Sequence, residues 1–85
     1  NYHVYILQSI KDKKYYIGCT SKQPLYRLKE HNSGMVTSTK NRRPFKLIWF
    51  QSFTNKKTAF KKEWFLKHPA GYQEKLQIIR EYTGQ

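Results

Sequence analysis

Two short runs of β-branched and aromatic residues constrain the fold of this chain more than any other feature. The first run spans residues 2–8 and the second spans residues 15–19, with a polar interval between them. Such runs are typical of strands, and a short polar interval between two of them predicts a β-hairpin. If the loop holds an even number of residues, Tyr5 and Tyr16 share one face of the sheet; an odd loop separates them.

The rest of the pattern predicts three helices and a third strand. Pro24 opens a helix that runs to about residue 31, and Asn32, Ser33 and Gly34 end it. A strand over residues 45–50 follows, then helices over residues 56–67 and 73–82, the last with Leu76, Ile79 and Tyr82 facing inward. The order β-β-α-β-α-α predicts an α/β (α+β) fold: one small domain over residues 1–85, with a three-stranded, mostly antiparallel sheet flanked by helices.

An excess of basic residues narrows the class of partner. The chain has 17 Lys and Arg against 5 Asp and Glu, a net charge of +12. Each basic side chain that meets a phosphate releases a counterion, so nucleic acid is the predicted partner. Charge alone leaves open a packing or solubility role, and it does not tell whether the protein cuts what it binds.

Cysteine content and hydropathy remove other classes. Cys19 is the single cysteine, which excludes an intrachain disulfide framework and a cysteine-based zinc site. No apolar run approaches the roughly 20 residues that a membrane-spanning helix needs. We therefore expect a cytoplasmic protein that has no membrane contact.

The small number of acidic residues limits where a metal could bind, because a hard divalent cation needs at least one carboxylate. Glu63 falls at helical spacing with Ala59, Phe60 and Leu66, so it is predicted to share their apolar face. An acid in such a place calls for a metal ion or a basic partner. The simpler alternative is a glutamate at the edge of the stripe, paired with a nearby lysine.

Tyrosine, arginine and histidine could supply the remaining chemistry. Most of the 7 tyrosines are expected to pack, but a tyrosine can activate water if nearby cations depress its pKa from about 10. Arg27 and His31 are four residues apart and share one helical face. From that face the arginine could clamp a phosphate and the histidine could assist proton movement.

Together these motifs resemble the GIY-YIG nuclease domain family. The resemblance covers nearly the whole chain and rests on residues 4–6 and 16–20, with Arg27, His31 and Glu63. Residues 29–34 and 38–47 are also similar to stretches of its small stand-alone bacterial members, of the UPF0213 type. The resemblance implies a metal-dependent endonuclease that hydrolyses DNA phosphodiester bonds with a single Mg²⁺ or Mn²⁺ ion.

A role for each matched residue follows from the resemblance. Tyr5 would activate the attacking water with help from His31, and Tyr16 would orient the water or the phosphate. Arg27 would hold the scissile phosphate and stabilise charge in the transition state. Glu63 would bind the metal ion.

Gly18 would let the backbone pass close to the site. The sequence departs from the family's pattern at His3, which stands at the glycine position of the first motif, and in having no asparagine after Asn55. Many members carry an asparagine downstream of the metal-binding glutamate. This departure keeps an alternative open: a basic nucleic-acid-binding protein with the same fold and little or no turnover.

Basic residues outside the site are expected to contact the nucleic-acid backbone; they are Lys40, Arg42, Arg43, Lys56, Lys57, Lys61 and Lys62. A chain of this length leaves room for the core alone, so we expect little sequence specificity. Recognition of branched, nicked or single-stranded sites, in DNA repair or recombination, fits such contacts. DNA is favoured over RNA by the resemblance, and the oligomeric state is left open. The least favoured alternative is a protein-binding patch of Trp49, Phe50 and Trp64, which are expected in the core.

Overall fold

A three-stranded sheet with the first strand in its middle organises the molecule. The computed structural model describes residues 1–84, and its elements are β1 (Tyr2–Ser9), β2 (Tyr15–Thr20), α1 (Pro24–Ser33), β3 (Phe45–Phe53), α2 (Lys56–Lys67) and α3 (Tyr72–Thr83). The sheet order is β2-β1-β3, and both pairs of strands are antiparallel. The predicted α+β class and the order β-β-α-β-α-α are confirmed.

The register of the hairpin settles which side chains share a face. Tyr5 pairs with Gly18 and Leu7 pairs with Tyr16. In each pair the two residue numbers add up to an odd number, as expected for a loop with an even number of residues. Tyr5 and Tyr16 therefore lie on the same face of the sheet. The buried Ser9 hydroxyl holds the turn, because it accepts hydrogen bonds from the backbone N–H groups of Lys11 and Asp12, each at 3.1 Å.

The sheet separates two apolar cores. On one face, α2 and α3 cover a cluster that includes Val4, Ile6 and Ile17. On the other face, α1 covers Tyr5, Leu7 and Phe45. Both faces of β1 are thereby buried, and Tyr5 is directed towards α1.

Two predicted features differ in the structure. β3 continues to Phe53, three residues past the predicted end, because its pairing with β1 continues to Tyr2. The predicted inward face of α3 is correct for Ile79, which packs against the core, and wrong for Tyr82, which is exposed. The buried residue of this helix is Ile78. The Tyr82 ring lies in the last turn and is covered by the Lys46 ammonium, 5.4 Å from its centroid, instead of by the core.

The aromatic residues expected in the core divide into two groups. Trp49 packs against the core under α2 and α3, whereas Phe50 and Trp64 are exposed. Across residues 1–84, no helix is both long enough and apolar enough to cross a membrane.

Candidate active site

The Tyr5 side chain crosses the backbone of the neighbouring strand at Gly18. A Cβ atom added to Gly18 would lie 2.5 Å from the Tyr5 hydroxyl oxygen and 3.1 Å from the Tyr16 ring. Real Cβ atoms do not approach other heavy atoms so closely, so a side chain here would displace Tyr5. Glycine at this position is therefore a packing requirement of the tyrosine.

A chain of hydrogen bonds runs inward from the Tyr5 hydroxyl. It reaches His31 Nε2 at 2.9 Å, and His31 Nδ1 reaches Thr39 Oγ1 at 2.8 Å. The Thr39 hydroxyl donates to the Val36 carbonyl at 3.4 Å, so its oxygen is left to accept from His31 Nδ1–H. This network assigns the proton to Nδ1, which leaves Nε2 to accept the phenol proton of Tyr5.

Burial keeps both members of the Tyr5–His31 pair uncharged. Burial raises the pKa of Tyr5 to about 12, although the nearby guanidinium of Arg27 acts in the opposite direction. Burial, assisted by the charge of Arg27, lowers the pKa of His31 to about 4. The cation-depressed tyrosine pKa considered from the sequence is therefore not found at Tyr5, because burial outweighs the single nearby arginine.

Arg27 lies beside Tyr5 and is held by a carboxylate of its own helix. Its Nη1 donates to Glu30 Oε1 at 2.9 Å, and Lys22 Nζ donates to the other oxygen of Glu30 at 2.6 Å. These two hydrogen bonds hold the pKa of Glu30 below its usual range. Within residues 1–84, Arg27 Nε is buried and has no hydrogen-bond partner. The side chain as a whole is 28% exposed, so the accessible part of the guanidinium can meet an incoming anion.

Glu63 reaches the site from α2. Its side chain is 22% exposed and its Oε2 lies 3.0 Å from Lys67 Nζ. Its negative charge adds to burial in raising the pKa of Tyr5 and of the Cys19 thiol, which places the carboxylate near both. The lysine pair weighed from the sequence is therefore present in the structure.

The apolar stripe around Glu63 is narrower than predicted. Ala59 and Leu66 are fully buried, but Phe60 is exposed. Glu63 is therefore at the border between the buried and the exposed face of α2. At this border the carboxylate keeps part of its surface exposed to solvent.

Tyr16 completes a group of three rings. Its ring centroid lies 5.1 Å from that of His31 and 6.4 Å from that of Tyr5. The structure thus brings Tyr5, Tyr16, Arg27 and His31 together above Gly18, with Glu63 close by.

A divalent cation at this site would depend on few protein ligands. Across the described chain, no group of three or more His, Cys, Asp or Glu residues converges. Mg²⁺ is commonly held by one or two carboxylates, with water and substrate phosphates completing its octahedron. A single hard oxygen ligand at Glu63 fits that mode, provided that Lys67 gives up its contact.

The predicted backbone contacts form two groups at opposite ends of β1. Residues 40–43 are tied to the Ser9 end, where Ser9 Oγ donates to the Arg42 carbonyl at 2.6 Å. Lys56 and Lys57 line a cavity with Tyr2, at the other end of the strand. A strand of this length separates the two groups by roughly 20 Å.

Two of these basic side chains are paired with acidic residues. Arg42 Nε donates to Asp12 at 2.9 Å, and Lys62 pairs with Glu74. The other predicted contacts are exposed; they are Lys40, Arg43, Lys56, Lys57 and Lys61.

Sequence reasoning missed two residues that support the site. Thr39 orients His31, and nothing in its polar loop identifies it in advance. Glu30 orients Arg27, and its position three residues further along the same helix is a signal that could have found it.

Most of the chain, including the residues of this site, matches one protein family. The model of the GIY-YIG catalytic domain matches residues 1–76. The chain therefore belongs to the GIY-YIG family, and the resemblance described from the sequence is confirmed.

Its relatives include UPF0213 proteins from several bacteria. The chain is 41% identical over 80 residues to the UPF0213 protein YsiG of Lactococcus lactis, covering 93% of this chain and 75% of YsiG. It is 34% identical over 79 residues to YazA of Bacillus subtilis, covering 92% and 79%. The solution NMR structure of a UPF0213 protein from Bacillus halodurans is 32% identical, with a TM-score of 0.54 over 91% of this chain and 81% of that one.

Proposed function

We propose that this chain is a metal-dependent endonuclease that hydrolyses phosphodiester bonds in DNA with little sequence specificity. The observation that carries the proposal is the Tyr5–His31 hydrogen bond beside a partly exposed arginine. Membership of the GIY-YIG family and the net charge of +12 support a nucleic-acid substrate.

The hydrogen-bond chain suggests how a phenol with a raised pKa can activate water. A water proton passes to the Tyr5 oxygen while the Tyr5 proton passes to His31 Nε2, so a free phenolate need not form first. The resulting imidazolium keeps its Nδ1 hydrogen bond to Thr39. Glu30 lies near enough to favour that charge, since its carboxylate acts to raise the pKa of His31.

Arg27 and Tyr16 act on the phosphate in this proposal. The exposed part of the Arg27 guanidinium binds a non-bridging oxygen and stabilises the charge that develops there. Tyr16, at the edge of the three-ring group, orients the phosphate against the water. Glu63 would hold Mg²⁺ or Mn²⁺, and such an ion supplies charge stabilisation at the leaving oxygen.

The Glu63–Lys67 ion pair favours a second candidate function. A carboxylate already neutralised by a lysine is a weaker cation ligand, and the chain lacks the downstream asparagine of many relatives. The alternative is a nucleic-acid-binding protein with little or no turnover.

The test is a cleavage assay on branched, nicked, single-stranded and linear duplex DNA with Mg²⁺ or Mn²⁺. We expect Tyr5→Phe and Glu63→Gln each to lower the cleavage rate by about 100-fold or more. Tyr26→Phe and Glu81→Gln change the same residue types at exposed positions and should cleave like the unmodified chain. A preference for branched or nicked DNA would support a role in repair or recombination.

Two results would contradict the nuclease assignment. Cleavage that survives Glu63→Gln at the unmodified rate would identify a contaminant. Binding of DNA with no cleavage in either metal, by a chain shown to be folded, would establish the alternative.

A further inference from the structure

The outward face of α2 carries two exposed aromatic side chains. Phe60 is 48% exposed and Trp64 is 56% exposed. Both line an open cavity of about 780 Å³, here called the α2 groove, whose lining includes Tyr2, Lys56, Lys57, Phe60, Lys61 and Trp64. None of these residues belongs to the hydrogen-bonded group around Tyr5.

The charges of the α2 groove are all of one sign. No acidic residue lines it. Within residues 1–84, Lys56, Lys57 and Lys61 take part in none of the ion pairs, so their ammonium groups remain available. Lys56 Nζ lies 5.5 Å from the Phe60 ring centroid, so charge and aromatic surface lie side by side.

Trp64 is held in place from one side. The His68 ring stacks on it with a centroid distance of 4.1 Å and an interplanar angle of 15°. His68 Nδ1 also donates to the Trp64 carbonyl at 2.7 Å, which fixes the imidazole. An indole oriented in this way, yet more than half exposed, loses little freedom when a planar group packs on it.

We propose that the α2 groove binds an unpaired segment of nucleic acid, with bases stacked on Phe60 and Trp64 and phosphates along the three lysines. Aromatic faces next to a positively charged track are how proteins hold single strands without reading sequence. A base-paired duplex cannot use these faces, because its bases already stack on one another. An acidic peptide would satisfy the lysines but leave the two ring faces without planar partners.

The position of the groove relates it to the candidate active site. Lys56 and Glu63 are seven residues apart on α2 and so lie nearly above one another, which places the groove beside the carboxylate. Resting on the proposed function, this arrangement implies that the cleaved strand carries unpaired nucleotides next to the scissile phosphate. Binding in the groove itself requires neither a metal ion nor turnover.

The experiment uses the fluorescence of Trp64 in a Trp49→Phe variant of the full chain, in EDTA so that no cleavage occurs. The probes are oligothymidylate and oligouridylate of about 12 nucleotides, with an abasic oligomer of equal length as the polyanion control. We expect the two base-bearing oligomers to quench Trp64 on binding and the abasic oligomer to bind without quenching.

Two matched variants test whether the oligonucleotide binds in the α2 groove. In the unmodified background, Phe60→Leu should weaken oligothymidylate binding by about tenfold, as loss of one stacked base predicts. Phe50→Leu removes an exposed phenyl ring outside the groove and should leave affinity unchanged. Circular dichroism confirms that each variant is folded before titration.

Three outcomes would each contradict the binding of unpaired nucleic acid in the α2 groove. Equal quenching by the abasic oligomer, equal affinities of Phe60→Leu and Phe50→Leu, or tighter binding of a poly-glutamate peptide would each do so. If oligonucleotides quench Trp64 but are never cleaved, base stacking in the α2 groove is supported and the nuclease function is contradicted. Cleavage without quenching would support the nuclease function and contradict binding in the α2 groove.

Discussion

His31 lies at the centre of the site with both ring nitrogens in hydrogen bonds and no exposed surface. A positive charge there would meet few groups that could solvate it. The groups around the ring are Tyr5, Tyr16, Arg27, Glu30, Thr39 and Phe45. Arg27 disfavours the imidazolium and Glu30 favours it, and burial decides the balance.

This burial predicts a dependence of stability on pH. The pKa of His31 is about 4 in the folded chain, below the ordinary histidine value of 6.5. Between these values the unfolded chain binds more protons, so the free energy of unfolding falls as pH drops from about 6.5 to about 4. The loss attributable to His31 is on the order of 3 kcal/mol. Urea unfolding at several pH values measures it.

Two glutamine substitutions, one at His31 and one at His68, isolate the contribution of His31. His31→Gln should flatten the stability profile over this range, at the expense of stability at neutral pH. His68→Gln, which changes an exposed histidine on the other side of the molecule's sheet, should keep the slope of the unmodified chain. Equal slopes in all three proteins would contradict a neutral, buried His31.

At the scale of the elements, α2 performs three tasks with three faces. Ala59 and Leu66 pack into the core, Glu63 lies at the border, and Phe60 and Trp64 face outward. Anything that loosens the inward face therefore also moves the carboxylate and the α2 groove. The helix links stability to both proposed sites.

Truncation of the inward face should destabilise the whole chain. Leu66 is 1% exposed, so Leu66→Ala should lower the free energy of unfolding by about 2–5 kcal/mol, through lost burial and a residual cavity. Leu25→Ala removes the same atoms from a side chain that is 66% exposed on α1, and should change stability by less than about 0.5 kcal/mol. Chemical denaturation of both variants checks the difference.

Local signals explain why several element boundaries were predictable. Pro24 at the first turn and Gly34 at a φ of 87° delimit α1, and both are readable in the sequence. The parity of the hairpin loop likewise determined the shared face of Tyr5 and Tyr16. These features depend on near neighbours alone.

Other features depend on packing between distant segments and could not be read from the sequence. Thr39 reaches His31, and Arg42 reaches Asp12 across 30 residues. Whether the Glu63 carboxylate contacts a metal ion or Lys67 likewise depends on which side chains the fold brings near it. Burial at Tyr5, which raises the pKa of its hydroxyl, depends on the packing of the core under α1.

At the scale of the whole molecule, the net charge of +12 is distributed unevenly. Of the five acids, Asp12, Glu30, Glu63 and Glu74 are paired with basic side chains. The exposed lysines and arginines that remain include the two groups at opposite ends of β1. Binding of a polyanion should therefore be strongly salt-dependent, with each end contributing separately.

Salt titrations can assign the end that a single strand uses. Replacing Lys56, Lys57 and Lys61 together by alanine should reduce the slope of log affinity against log salt by about 2 for a single-stranded oligomer. Replacing Lys40 and Arg43 should leave that slope unchanged if the strand lies in the α2 groove. Fluorescence anisotropy at several salt concentrations measures both slopes, and equal reductions would place the strand across both ends.

The central position of β1 also sets an order of events during folding. β1 and β2 can pair as soon as the hairpin exists, but the other edge of β1 waits for β3, which begins only at Phe45. Until then a strand made largely of buried residues offers an open row of hydrogen-bonding groups, the feature from which aggregation starts. During synthesis on the ribosome, this chain therefore stays prone to aggregation until its third strand has emerged.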